Sequence, residues 1–315
     1  MTPLVSVIIP VFNREKLILE TLESISAQSY EHWECLVIDD RSTDLTVNEI
    51  KKYLTKDNRV KVFIRPSNKP KGANACRNYG LELSNGTYIN WFDSDDIMHP
   101  DKIRLQIEAL ESSNNPFCVC QSYIFKNDIK NVIGFQTDFI TSKSPFDDFL
   151  TKKIVWLTQS PIFRKDFLIE NDYLFDEDLQ AGQDWEMFSR ILFNNSNYIP
   201  IEKPLVYLRQ HKNNTSRGKN EEQLWYYFLA RYKIYVKFKD SLSFENIEYL
   251  KCYFLNSFKL LLRYKQYNKS YNVWKMALIT DKTYTIKQHF YFILSMLSFV
   301  MFRKGDKFIN KLERK

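Results

Sequence analysis

From residue 4 to residue 92 two kinds of apolar pattern take turns, and this alternation limits the possible folds more than any other feature of the chain. Val5 to Ile9 is a β-branched run that Pro10 is expected to end, while residues 14–27 carry Leu17, Ile18, Leu22 and Ile25 at helical spacing. "WECLVIDD" reads as a second strand and "DLTVNEIKKYL" as a helix with Asp44 placed to cap it. Val60 to Ile64 makes a third strand, "GANACRNYGLELS" a third helix closing near Gly86, and "TYINWF" a fourth strand. Strands separated by helices of this length need crossover connections, which implies an α/β chain with a mostly parallel sheet covered on both faces.

Beyond it Pro100 opens a helix to about Ser113, and "FCVCQSYIF" reads as a further strand. Residues 126–180 are less regular, "DWEMFSRILF" (184–193) is a short amphipathic helix, and "PLVYLRQH" is a strand. The polar run "KNNTSRGKN" suggests a boundary near residue 218, dividing the chain into 1–218 and a helical, basic and aromatic region, 219–315. No repeat and no low-complexity segment interrupts it.

With 44% hydrophobic and 16% aromatic residues in 315, the chain can bury a large core, which excludes a disordered reading. Five cysteines without framework spacing argue against a disulfide-stapled secreted protein, and Cys118 and Cys120 read as buried strand residues. "MTPLVSVIIPVFN" has neither a positive n-region nor a small-residue cleavage site, so it reads as a first strand and points to a cytoplasmic chain. The net charge of +7 is unevenly spread, about −7 over residues 1–200 and about +14 over 201–315. The basic residues of the second part are scattered among apolar helix positions with no nucleic-acid module, which argues against nucleic acid as partner.

Three acidic or polar clusters fall where strands end. Pro10, Phe12 and Asn13 follow the first strand, Asp39, Asp40 and Asp44 the second, and Asp93, Asp95 and Asp96 ("DSDD") the fourth. Open parallel sheets bind ligands outside the carboxyl ends of their strands. Neither G-x-G-x-x-G nor G-x-x-x-x-G-K-S/T occurs, so phosphates would need another neutralising group. A divalent cation, Mg²⁺ or Mn²⁺, suits carboxylate oxygens and lets three aspartates stay ionised together. Taken by itself, "DSDD" also reads as a solvated Asx turn.

Six motifs, in this order, make the chain resemble the family 2 glycosyltransferases, inverting enzymes of the GT-A fold: "SVIIPVFNRE", "ECLVIDDRSTD", "KGANACRNYG", "NGTYINWFDSDD", "QDWEMFSRI" and "YLRQHKNNTS". The resemblance covers about residues 4–217. It implies that Pro10, Phe12, Asn13 and Asp40, with Asp39 beside them, line a nucleoside pocket. It implies that Asp93 faces ribose, that Asp95 binds the metal with Asp96 able to share that role, and that Arg77 sits near the donor. Asp184 takes the catalytic base's position, although many members have Glu-Asp where this chain has Gln183-Asp184. His211 matches a position that completes the metal shell or touches the diphosphate. The implied reaction moves a sugar from a nucleotide diphosphate donor, typically a UDP-sugar, to a glycan or lipid-linked acceptor in bacterial surface polysaccharide synthesis.

Plainer roles stand beside these. Asp184 also suits a helix N-cap, His211 a surface histidine, and Arg77 a structural ion pair. Trp156, Gln159 and Ser160 fall where an acceptor would dock, though core packing explains Trp156 equally. "FYFILSMLSFVMF" (290–302), followed by Arg303, Lys304 and Lys307, is too short to span a bilayer and reads either as a buried helix or as one lying on an anionic membrane surface. Two rival functions are a nucleotide-sugar nucleotidyltransferase, disfavoured because "PVFNRE" lacks glycines, and a catalytically dead scaffold, disfavoured because Asp95 and Asp184 are both present.

Overall fold

The computed structural model describes residues 2–210, 221–279 and 284–312. The chain divides into two compact units, Met1–Asn214 and Thr215–Lys315.

In the first unit the elements run β1 (Val5–Val11), α1 (Ile18–Ser26), β2 (Trp33–Asp39), α2 (Thr46–Tyr53), β3 (Val60–Ile64), α3 (Ala73–Leu83) and β4 (Tyr88–Trp91). There follow β5 (Ile97–Met98), α4 (Lys102–Glu111), β6 (Phe117–Lys126), β7 (Asp128–Phe135), α5 (Pro145–Leu150), β8 (Pro161–Arg164), α6 (Lys165–Glu170), α7 (Gln183–Asn194) and β9 (Ile199–Gln210). The strands form one sheet in the order β3-β2-β1-β4-β8-β6-β9-β5, with β7 on β6. β1, β2, β3 and β4 are mutually parallel, as is β6 with β9, whereas β8 runs antiparallel to both β4 and β6, and β5 to β9.

Every residue of β1 and β2 is buried, the pattern of strands covered on both faces. Val5, Val7, Ile9 and Val11 share a core with Ile18, Leu22 and Ile25 of α1, Ile50 of α2 and Ile103 and Ile107 of α4. On the opposite face α3 comes so close that a Cβ on Gly80 would stand 2.3 Å from Ile8 Cγ2. Contrary to expectation, β1 runs through Pro10 to Val11. Its pairing with β4 ends at Ile8–Trp91, so the missing Pro10 N–H falls where no β4 acceptor remains. The stretch called irregular holds β7, α5, β8 and α6; short strands antiparallel to their neighbours leave little periodicity to read.

The second unit is helical: α8 (Glu221–Phe238), α9 (Phe244–Arg263), α10 (Tyr267–Val273) continuing into a π-helical turn at Trp274–Leu278, α11 (Ile286–Phe302) and α12 (Asp306–Ile309). Ser243 caps α9, and Thr285 with Gln288 forms a capping box on α11. Phe254 of α9 packs edge-on against Phe228 of α8 at 5.5 Å, and Phe258 against Phe292 of α11 at 5.1 Å. Among the described residues no helix is long and apolar enough to cross a membrane.

Candidate active site

The carboxyl ends of β1, β2 and β4 point the same way because the strands are parallel, and their trailing residues meet at one edge of the sheet. After β1, Phe12 leaves its ring 38% exposed with the Lys71 ammonium 4.5 Å from the ring centre. Asn13 takes a left-handed backbone (φ 50°) that turns the chain, and its Oδ1 accepts from Thr43 N at 2.8 Å. Pro10 remains buried inside the strand. After β2, both Asp39 oxygens accept from Ser42 N. Asp40 is buried between the Arg65 guanidinium and Gly72 N (3.0 Å), the residue that leads into α3. Asp44 accepts from Thr46 N at 3.0 Å, so it does serve the first turn of α2.

Past β4 come the clustered aspartates. Asp93 accepts from Arg77 Nη2 at 2.8 Å and from Gln159 Nε2 at 2.7 Å. Gln159 Nε2 also donates to Asp96 at 2.5 Å, so one amide bridges two carboxylates. Asp96 accepts further from Arg209 N at 2.8 Å, and Arg209 Nε donates to the Asp95 carbonyl at 2.9 Å. Arg14 Nε lies 3.5 Å from Asp95 Oδ2. "DSDD" is thus a turn, with Asp96 N donating to the Asp93 carbonyl at 3.4 Å, but one whose carboxylates are bonded by Arg77, Gln159 and Arg209 rather than left to solvent alone.

Burial raises the pKa of Asp93, against the Arg77 charge, and the Asp95 and Asp184 carboxylates push it the same way. Asp96 rises well above the usual carboxylate range, first through burial and then through Asp95 and Asp93. The effect on Asp93 also shows that Asp184, on the first turn of α7, stands within electrostatic reach of the cluster. The cap of α7 is Gly182, left-handed at φ 75°, so the capping role considered for Asp184 does not hold. Asp184 Oδ1 is instead buried with no hydrogen-bond partner, as are Gln183 Oε1, Gln159 Oε1, Arg77 Nε and Arg14 Nε. Buried polar atoms without hydrogen bonds are rare, and those of Gln159, Arg77 and Asp184, on residues that touch or electrostatically reach Asp93, mark a place shaped for something polar.

Register explains which residues meet. The β4–β8 pairing Ile89–Phe163, carried four residues forward from Ile89 and four back from Phe163, sets Gln159 opposite Asp93. The β5–β9 pairing Ile97–Tyr207, carried two residues back along β5 and two forward along β9, sets Arg209 opposite Asp95. From α3, Asn74 Nδ2 donates to the Asp176 and Leu179 carbonyls and Asn78 Nδ2 to the Phe175 carbonyl, holding the segment that delivers α7. Arg77 between them reaches Asp93, so one helix ties the acidic cluster to Asp184.

Arg14, Arg209, Asn74 and Asn78 were missed, although all lie inside the quoted motifs. The acceptor-side expectation needs correction: Gln159 is 2% exposed and turned toward the aspartates, and Ser160 is buried beside Ser122 Oγ at 3.0 Å. Trp156 is packed against Phe149 at 4.7 Å and Tyr198 at 5.2 Å, a core residue. His211 lies outside the described residues.

Among the described residues, no group of three or more His, Cys, Asp or Glu side chains is arranged to hold a metal ion. The donor set nonetheless fits Mg²⁺ or Mn²⁺, which take one or two carboxylates and draw their remaining ligands from water and substrate phosphates. Asp95, with Asp96 or Asp93 beside it, has the chemistry, and a cation would offset the burial and, after it, the mutual repulsion that raise the last two.

A sheet of this order, flanked by helices, is the fold of the GT-A glycosyltransferase structures. The family model described as Glycosyl transferase family 2 matches residues 6–168, just over half of the chain, and the chain belongs to that family. It is 31% identical over 196 residues to an uncharacterised glycosyltransferase of Rickettsia felis, covering 61% of this chain and 31% of that protein. It is 41% identical over 108 residues to TuaG of Bacillus subtilis, whose name assigns it to teichuronic acid biosynthesis, covering 34% of this chain and 42% of that protein. Both matches span less than half of the relative's length. An uncharacterised glycosyltransferase of Haemophilus influenzae aligns almost end to end, 28% identical with 99% and 97% covered. Among solved structures, S. aureus TarS (residues 1–349) in complex with UDP-GlcNAc superposes with a TM-score of 0.58 at 18% identity over 81% of each chain. A mannosyltransferase of Pyrobaculum calidifontis in complex with GDP-Man and Mn²⁺ gives 0.56 at 15% identity, covering 99% of this chain and 85% of that one.

Proposed function

We propose that the chain is a metal-dependent inverting hexosyltransferase that moves a sugar from a nucleoside diphosphate donor, most simply a UDP-sugar, to a hydroxyl of a glycan or lipid-linked acceptor. Residues 1–218 carry the chemistry, in the cytoplasm, and 219–315 form a helical appendage. One observation carries the reading: a carboxylate on the first turn of α7, with a buried oxygen lacking any hydrogen-bond partner, within electrostatic reach of Asp93, the first of the three aspartates after β4. Inverting transfer needs that division between a base and an acidic, cation-holding cluster.

The exposed Phe12 ring offers a stacking surface for a base, with Pro10, Asn13, Asp39 and Asp40 shaping the pocket around it. Asp93, steadied by Arg77, accepts from ribose hydroxyls. Asp95 and Asp96, with His211 as a further ligand, would hold a divalent cation, which would supply charge neutralisation for the departing diphosphate. Asp184 takes the proton of the acceptor hydroxyl as its oxygen attacks the anomeric carbon from the face opposite the diphosphate. The old glycosidic bond breaks with its electron pair going to the diphosphate oxygen, through an oxocarbenium-like transition state. Donors held by TarS and by the mannosyltransferase, and the name of TuaG, favour nucleotide-sugars and a surface polysaccharide as the product.

Nucleoside diphosphate release from UDP-, GDP- and dTDP-sugars, with Mn²⁺, Mg²⁺ or EDTA and a lysate-derived acceptor pool, tests this. Release that needs metal, favours one donor and falls at least ~100-fold in Asp184→Asn and Asp95→Ala is expected. A folded chain that neither releases nor binds nucleotide with metal present overturns the enzyme reading and leaves the scaffold.

A further inference from the structure

We propose that the outward face of α11 docks on an anionic lipid bilayer. The helix already has a partner on one side: Phe292, Ser295 and Phe299 are buried, Phe292 stacks edge-on against Phe258, and Tyr267 Oη donates to the Phe299 carbonyl at 3.1 Å. A helix seated this way ordinarily shows charge on its outer side. Here the outer side is apolar: Ile286 is 90% exposed, Phe290 57%, Leu297 51% and Met301 68%, with Ile293 and Val300 between them. At 3.6 residues per turn these six fall within about 100° of the circumference, opposite the buried trio, and run about 20 Å along the axis.

The spacing 286, 290, 293, 297, 300 would equally suit a coiled-coil seam with a second copy. Charge separates the two occupants. Between residues 284 and 305 the chain carries Lys287, Arg303 and Lys304 and not one Asp or Glu; Asp306, Lys307, Lys311 and Glu313 follow, so basic residues outnumber acidic ones five to two from 284 to 313. Two copies pairing along this stripe, in either direction, would bring Lys287, Arg303 and Lys304 of each copy toward one another with no Asp or Glu inside the stripe to pair them. A surface of anionic headgroups supplies the missing charge over its whole area, and the acyl boundary takes the stripe. The basic end is held in place: Arg303 turns left-handed (φ 54°) and Gly305 packs so tightly on Phe299 that a Cβ there would stand 2.4 Å from its ring. Arg303 and Lys304 therefore stay beside the apolar end of the stripe.

The inference does not depend on the transferase reading, and its test does not measure transfer. The full chain is sedimented with vesicles of phosphatidylcholine alone and of phosphatidylcholine with phosphatidylglycerol, at low and high salt, while light scattering reports its oligomeric state. Expected is binding to the phosphatidylglycerol vesicles that weakens with salt. Phe290→Ser with Leu297→Ser, both on the exposed face, should lower the partition coefficient at least about tenfold with circular dichroism unchanged. Arg303→Glu with Lys304→Glu should abolish the preference for phosphatidylglycerol. No sedimentation with either vesicle, equal sedimentation of the serine variant, or a dimer that the serine variant converts to monomer would each overturn the proposal, the last by assigning the stripe to a second copy.

Discussion

Arg65 and Asp40 form an ion pair whose side chains are 6% and 7% exposed, at the foot of the candidate nucleoside pocket. The guanidinium also donates to the Pro66 and Lys69 carbonyls, and the second carboxylate oxygen accepts from Gly72 N. The pair thus staples residues 65–72, and through them the start of α3, to the end of β2. Replacing Arg65 by Met keeps much of the apolar volume but leaves the Asp40 carboxylate buried with a single amide donor. Breaking one side of a buried pair in this way costs about 3–5 kcal/mol. For a unit of this size that lowers the melting temperature by about 6–20 °C. Asp40→Asn leaves the opposite charge stranded, softened by the two carbonyls that Arg65 keeps. The double variant strands neither charge, so its loss should fall short of the sum of the single losses by about 2 kcal/mol. Thermal and urea unfolding of the four proteins closes the cycle. A loss below about 1 kcal/mol for Arg65→Met, or strictly additive losses, would refute the claim that the pair is coupled and desolvated.

Two further outcomes are expected of the core beside the site. Lys102 is fully buried with its ammonium on Asn90 Oδ1 at 3.1 Å, and burial lowers its pKa from 10.5 to about 8. Between those values the unfolded chain holds more protons than the folded one, so stability rises with pH across that window by on the order of 3 kcal/mol. Lys102→Met should remove this slope, as urea midpoints at either end of the window would show; an unchanged slope would count against a buried ammonium. Gly80→Ala places a methyl 2.3 Å from Ile8 Cγ2 and 3.3 Å from Ile38 Cγ1, between α3 and the sheet. Overpacking of this kind costs about 1–3 kcal/mol, and an unshifted urea midpoint would refute so close an approach.

Local pattern alone determined a good deal here. The change between helical and strand spacing up to Trp91 specifies the parallel run of β1 to β4, because side-chain burial on a two-faced sheet and on an amphipathic helix obeys different periods. Parallel strands put their carboxyl ends together, so the sequence alone was enough to place the residues after β1, β2 and β4 at one edge of the sheet, as a candidate site. Which groups would hold those aspartates was not legible. Gln159 reaches Asp93 across 66 positions and Arg209 reaches the Asp95 carbonyl across 114. Both follow from antiparallel register between a short strand and its neighbour, and register is decided by which residues a completed core can bury. The same holds for α11: its apolar run was plain in the sequence, but the side that would be covered depended on Phe258 and Tyr267, residues of two other helices. Composition supplied the apolar surface, and tertiary packing decided which half of it stayed in water.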